Sequence, residues 1–206
     1  MPARLRLALF VTGVLALAGA AGVLLFAVGD RTARGEGFAG ALRPPNIPPA
    51  EFGLPDERGR VVRLRDLRGR PAVVTFLYTT CRDTCPLTTQ QIRAGLDDLG
   101  HDVPVIAVSV DPANDTPQRA SAFALKQGMT GRMRWVLGSS AQLQRIWNAY
   151  GIAPQTAKEN HSASTVLLDA SGRQRIGFPT SELTPEGLAH DVAALEREQR
   201  RPRGRT

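Results

Sequence analysis

Two cysteines stand four positions apart in the stretch TFLYTTCRDTCPLT, residues 75–88, and they are the only two in a chain of 206 residues. Cys81 and Cys85 at this spacing admit three kinds of chemistry. A structural disulfide would close a very small ring, which removes little entropy from the unfolded chain. A redox pair more often has two intervening residues, and here there are three. A soft metal ion is the third reading: two thiolates suit Cu(I), which then takes a third ligand or a linear geometry.

A third ligand has to come from elsewhere, and the chain has three histidines. His101 follows the helix-stopping Gly100 and reads as a surface loop residue. His190 lies in the last helix beside Asp191 and reads as exposed. His161 ends a polar loop and directly precedes a strand predicted over 162–169. A loop at the mouth of that strand can approach the cysteine loop if the two strands are neighbours in one sheet, so His161 is the candidate. The residues alone leave the three readings open.

Pro86 disfavours the α conformation at Cys85 and suits the first helical position. A helix is therefore predicted from Pro86 to Leu99, with Cys85 at its N-cap and Cys81 in the preceding loop. The positive end of that helix should lower the pKa of Cys85 and favour its thiolate, with Arg82 adding to the effect. A second concentrated signal is SVDPANDTP, 109–117. Asp115 reads as a helix-start residue. Asp111 reads as a residue that orients the site or receives a basic group of a partner.

The elements that must position these residues follow from periodicity. AVVTFLY, 72–78, and VPVIAVSV, 103–110, are apolar, β-branched runs of the kind that forms strands buried on both faces. With the helix between them they make a βαβ unit, so the two strands should be parallel. VVRL, 61–64, and RWVL, 134–137, read as further strands. Thr116-Pro117 opens a helix that runs to Gln127. Ser139 or Ser140 caps another, with Leu143, Ile146, Trp147 and Tyr150 on one face and Gly151 as its stop. SASTVLLD, 162–169, and RQRIGF, 173–178, form a hairpin, and Thr184-Pro185-Glu186 starts a last helix. The predicted class is α/β with a thioredoxin-like fold: a central mixed sheet flanked by helices. Sites in such sheets lie beyond the carboxyl ends of the strands, where Cys81 falls.

Charge narrows the function. The formal net charge is +7, but +1 belongs to residues 1–30 and +4 to the tail from Arg197, leaving +2 for 31–196. No basic stripe interleaved with aromatics appears, which speaks against nucleic-acid binding. From Leu7 to Val28 the chain carries 22 residues without a charge. As a helix these span about 33 Å, enough for a hydrocarbon core of about 30 Å. Arg4 and Arg6 precede the stretch, so the N-terminus is expected in the cytoplasm and the rest across the membrane. A cleaved signal peptide with its site near Ala16-Leu17-Ala18 is the rival; an uncleaved anchor is the expectation. Either way residues 31–206 face a compartment where thiols can be oxidised. The expected organisation is an anchor over 1–30, a Pro/Gly-rich linker over 31–51, the domain over 52–196 and a basic disordered tail over 197–206.

Taken together, TFLYTTCRDTCPLT, SVDPANDTP and NHSASTVLLDASGR resemble, in order, the three signatures of the Sco/SenC family, membrane-anchored copper proteins of cytochrome c oxidase assembly. The resemblance covers roughly 52–195 and the anchor. It implies copper held by Cys81, Cys85 and His161, as Cu(I) with Cu(II) left open. It also implies a redox disulfide between Cys81 and Cys85, and a place on the periplasmic side of the inner membrane. The partners it implies are the copper-bearing subunit of the oxidase and an upstream copper donor. Two positions differ: Arg82 stands where the family often has Pro, and Asn160 where it often has Asp. The function expected is a metallochaperone rather than a conventional enzyme. The alternative is a thiol–disulfide oxidoreductase that keeps the cysteines of the target copper site reduced. A peroxiredoxin-like peroxidase does not fit, because the region before Cys81 lacks a Pro-rich peroxidatic loop.

Overall fold

The computed structural model describes residues 37–49, 51–154 and 164–200. Eight strands fall in these segments: β1 (Ala41–Leu42), β2 (Gly53–Pro55), β3 (Val61–Arg63), β4 (Ala72–Leu77), β5 (Val105–Ser109), β6 (Met133–Val136), β7 (Ser164–Leu168) and β8 (Gln174–Pro179). Four helices accompany them: α1 (Thr84–Leu99), α2 (Pro117–Lys126), α3 (Ser140–Tyr150) and α4 (Pro185–Arg200). Six strands form one sheet in the order β1-β8-β7-β4-β5-β6, and β2 pairs with β3 separately. β4, β5 and β6 run parallel, while β7, β8 and β1 are antiparallel to their neighbours. This mixed sheet, with helices on both faces, is the thioredoxin-like arrangement read from the sequence.

β4 sits at the centre and shows why the apolar run was needed. All six of its residues are buried. Val73 and Leu77 face one core, with Ile92 and Leu96 of α1 and Leu188, Val192 and Leu195 of α4. Ala72, Val74 and Phe76 face the other, with Leu143, Ile146, Trp147 and Tyr150 of α3. The period of two thus feeds two cores from one strand. Each fully buried side chain of this kind contributes about 1.5–3 kcal/mol. Glycine is required where α1 meets α4: a Cβ on Gly95 would lie 2.9 Å from the Pro185 carbonyl oxygen and 2.8 Å from Leu188 Cδ2.

Helix ends follow local chemistry. Thr116 caps α2, its hydroxyl accepting the Arg119 N–H, with Pro117 in the first turn. Ser139 and Gln142 form a reciprocal capping box at α3. α1, in contrast, begins at Thr84 and not at Pro86. The first N–H groups of a helix have no intrahelical acceptor, so Pro86 loses nothing at the third helical position.

Two boundaries also differ from expectation. The folded unit begins at Phe38, so much of the segment expected as a linker belongs to it. β1 pairs with β8, and the buried Asp191 carboxylate of α4 accepts the N–H groups of Ala39 and Gly40 at 2.8 and 2.9 Å. Gly40 approaches β8 so closely that a Cβ would lie 2.5 Å from Ile176 Cγ2. At the other end α4 continues to Arg200, past the expected start of the tail, and Glu198 there pairs with Arg175 at 2.9 Å. No helix among the described residues is long and apolar enough to cross a membrane; the expected anchor, 7–28, lies outside them.

Candidate functional site

The cysteine loop leaves the carboxyl end of β4 and turns at once. The Cys81 N–H donates to the Tyr78 carbonyl at 3.3 Å, and the Val110 N–H at the end of β5 donates to the Leu77 carbonyl at 3.1 Å. Cys81 remains in the loop, half-buried, and Cys85 lies in the first turn of α1, 1% exposed. Both are free thiols, and the Cys85 N–H donates to Cys81 Sγ at 3.2 Å.

This geometry reverses the expected roles of the two sulfurs. Burial pushes the Cys81 thiol up, but hydrogen bonds from Cys85, from the Asp83 N–H and from the Tyr78 hydroxyl outweigh it, so its pKa falls below the ordinary thiol value. Burial pushes the Cys85 thiol far up, and the neighbouring Cys81 sulfur and Asp115 carboxylate push the same way. The favoured thiolate is therefore Cys81, not Cys85. The helix N-terminus does act, but its N–H groups are spent on the loop sulfur, while Cys85 is enclosed by the core. Tyr78 is part of the same arrangement: burial, the Cys81 hydrogen bond and nearby negative charge raise its hydroxyl to about 12.

A buried carboxylate holds the loop from below. Asp115 Oδ1 accepts the Thr79 N–H and the Thr79 hydroxyl, each at 2.7 Å, and Oδ2 accepts the Ser109 hydroxyl at 2.6 Å. Trp147 Nε1 donates to the Ser109 carbonyl at 2.9 Å and anchors the end of β5 to α3. Asp115 thus ties the loop to the carboxyl end of β5. In the sequence Asp115 reads only as a helix-start residue, and Asp111 is the acid singled out. The Asp111 side chain accepts the Asn114 amide at 2.8 Å within its own loop and reaches the site as a negative charge near Tyr78. Thr79 and Ser109, which donate to the acid, come from the ends of two different strands, and only the fold brings them to Asp115.

The histidines separate as expected in two cases. His101 Nε2 pairs with Glu196 at 2.8 Å, and His190 Nδ1 with Asp191 at 2.8 Å; both side chains are half exposed. His161 lies outside the described residues, three positions before Ser164, where β7 begins. β7 runs antiparallel to β4 with Thr75 opposite Thr165, so its start lies at the edge from which the cysteine loop departs. Among the described residues no three His, Cys, Asp or Glu side chains converge on one point. Cys81 and Cys85 supply two soft donors.

Fold and site together define the class: a thioredoxin-like α/β domain carrying a dithiol of unequal thiols at the carboxyl edge of its central strand. Within that class the sequence profile of the SCO1/SenC family matches residues 42–197, and the chain belongs to this family. Protein SenC of Rhodobacter capsulatus is 32% identical over 155 residues, covering 70% of this chain and 68% of that protein. Bradyrhizobium japonicum ScoI, whose structure was solved with copper bound, is 27% identical with a TM-score of 0.57, over 71% of this chain and 98% of that one. Arabidopsis thaliana ScoI, also solved with copper bound, superposes with a TM-score of 0.65 over 73% of this chain and 98% of that one. Its 22% identity speaks to the fold alone.

Proposed function

We propose that the chain is a copper-binding protein of cytochrome c oxidase assembly. Copper is held by Cys81, Cys85 and His161, and passes from an upstream donor to the copper-bearing subunit of the oxidase. Residues 7–28 tether the domain to the inner membrane, and the domain faces the periplasmic side. The observation that carries this reading is the pair of sulfurs at the strand edge, one half-buried in a loop and one enclosed. The family's copper-bound relatives support the choice of metal.

The donor set fits Cu(I), a soft ion that prefers thiolate and imidazole. His161 precedes β7 by three residues, a chain length of at most about 10 Å. A site that binds through deprotonated thiols and a neutral imidazole releases protons on loading. Burial favours the protonated form of Cys85, so its proton is released to solvent when the metal binds. Affinity should therefore fall as pH falls.

A second reading rests on the asymmetry of the thiols. The Cys81 thiolate attacks a disulfide of a target protein, forming a mixed disulfide and releasing one target thiolate. The Cys85 thiol loses its proton and displaces the second target sulfur. The target gains two electrons and the Cys81–Cys85 pair becomes a disulfide.

Anaerobic titration of the purified chain with Cu(I), against a chromogenic chelator, tests the copper reading. One-to-one binding is expected, falling by roughly a hundredfold or more in His161→Ala. Unchanged affinity in that variant, or disulfide reduction without copper binding, overturns it.

A further inference from the structure

A groove of about 500 Å³ opens beside Cys81, between the cysteine loop and α2. The charged side chains that line it are Arg82, Arg119 and Lys126, and no carboxylate among the described residues does so. All three cations are exposed, and none forms an ion pair among the described residues. Some cations elsewhere are matched, Arg132, Arg134 and Arg175 each meeting a carboxylate within 3 Å, while others such as Arg70 and Arg145 are not, among the described residues. The groove is distinguished by gathering three unmatched cations beside one sulfur. The acids nearest the groove in the fold are engaged otherwise. Asp111 accepts from Asn114, and Asp115 from Thr79 and Ser109. Asp83 is exposed at the start of α1 and lies outside the lining. Positive charge is thus left unmatched around the sulfur that reacts.

We propose that this groove is the docking site for an extended, acidic segment of the protein on which Cys81 acts. The proposal rests on the reading that the dithiol serves a protein partner, by either copper or electron transfer. Spacing supports it. Arg119, Phe123 and Lys126 recur at i, i+4 and i+7 along α2, so all three face the groove. Two turns of helix put the α-carbons of Arg119 and Lys126 about 10.5 Å apart. An extended chain advances about 3.3 Å per residue, so acidic residues three positions apart span about 10 Å and meet both cations. Arg119 is steadied for this by donating to the Asn114 carbonyl at 2.9 Å. Between the cations Phe123 and Pro86 offer an apolar contact to the middle of the segment. Arg82, on the wall formed by the cysteine loop, faces the segment from the other side. The groove thereby recognises an acidic-x-x-acidic stretch and aligns it past Cys81.

The test uses the full chain in detergent micelles. The probe is a fluorescein-labelled peptide of about ten residues, with two glutamates three positions apart in a Gly/Ser background. Its affinity is read by anisotropy at low ionic strength. Binding should weaken about tenfold or more in Arg119→Glu and in Lys126→Glu. It should weaken similarly at high salt, where exposed charges are screened. The peptide with glutamines in place of glutamates should not bind. Equal binding by wild type and Lys126→Glu, or by the two peptides, overturns the proposal. Lys126 bonds to no other side chain among the described residues, so its variant tests the charge without disturbing the fold. Cu(I) titration and disulfide reduction by the same proteins separate the two levels. A wild-type chain that binds copper or reduces disulfides but does not bind the acidic peptide sinks the groove alone. Peptide binding retained in a chain that neither binds copper nor reduces disulfides sinks the functional reading and leaves the groove.

Discussion

Asp115 and Asp56 are both buried carboxylates, 7% and 1% exposed, and each fastens a loop to the sheet. They do it with opposite partners. Asp56 accepts the N–H groups of Arg58 and Arg60 at 3.0 and 2.8 Å, and the guanidinium groups of Arg60 and Arg134 at 3.2 and 2.9 Å. Burial pushes its pKa up, but the backbone N–H groups and Arg134 more than offset this and hold it below the ordinary carboxylate range. Asp115 has one N–H and two hydroxyls and no cation. Burial prevails there, Asp111 adds negative charge, and the pKa rises. Far from the sulfurs the fold uses the stronger, charge-assisted lock. Beneath them it accepts a weaker one, and the unmatched negative charge of Asp115 helps keep Cys85 protonated. Stability is given up where it would disturb the thiols.

The most severe way to break this comparison is to remove each acid. Asp115→Ala strands the Thr79 N–H and the hydroxyls of Thr79 and Ser109, and should cost about 3 kcal/mol in urea denaturation. Asp56→Ala should cost a similar amount. Only the first should change the rate at which iodoacetamide alkylates Cys81; equal rates in both variants would erase the distinction. Next in size is the contrast between the sulfurs. At neutral pH Cys81 should react at least about tenfold faster than Cys85, read by peptide mapping, because it is both more ionised and more accessible. Faster labelling of Cys85 would contradict the assignment.

The smallest effect is in the pH dependence of stability, and its sign differs between the acids. The folded pKa of Asp56 is depressed. Its contribution is therefore present above the unfolded value of about 3.9 and is lost as pH falls through the folded pKa. The folded pKa of Asp115 is raised. Its contribution is therefore full below about 3.9 and is lost as pH rises through the folded pKa. A tenfold difference in proton affinity between the folded and unfolded chain is worth about 1.4 kcal/mol. Between about pH 3 and 6, the stability of wild type relative to Asp56→Asn should grow with pH, and relative to Asp115→Asn it should shrink. Parallel slopes would show that the two locks are alike.

Much of this was legible in the chain. The apolar runs at 72–78 and 103–110 dictated two adjacent, doubly covered strands, and the Gly and Thr-Pro punctuation dictated the helix ends. The motif residues Cys81 and Cys85 fell at the strand edge for the same reason. What was not legible depends on contacts distant in sequence. Which of Asp111 and Asp115 turns inward is decided by Thr79 and Ser109, and neither spacing nor composition ranks the two acids. The pKa order of the thiols is decided by how deeply the core encloses Cys85, which overrides the helix end. Ala41 and Leu42 have no strand signature among their prolines and glycines; they are a strand because β8 offers an edge. His161, the ligand expected from the third signature, falls outside the described residues, and its role rests on the proposal above.

The clamp on Asp191 also orders events in time. It joins residues 151 and 152 positions apart. β1 has no partner until β8 exists, and its carboxylate anchor resides on the last helix. Contacts that close so much chain form late, since the loop entropy must be met first. A chain that emerges from its N-terminus must therefore leave its earliest domain residues unmoored until its last ones arrive. Cleavage within residues 38–49 by an added protease becomes a clock for completion of the opposite end: susceptible before α4 docks, resistant after.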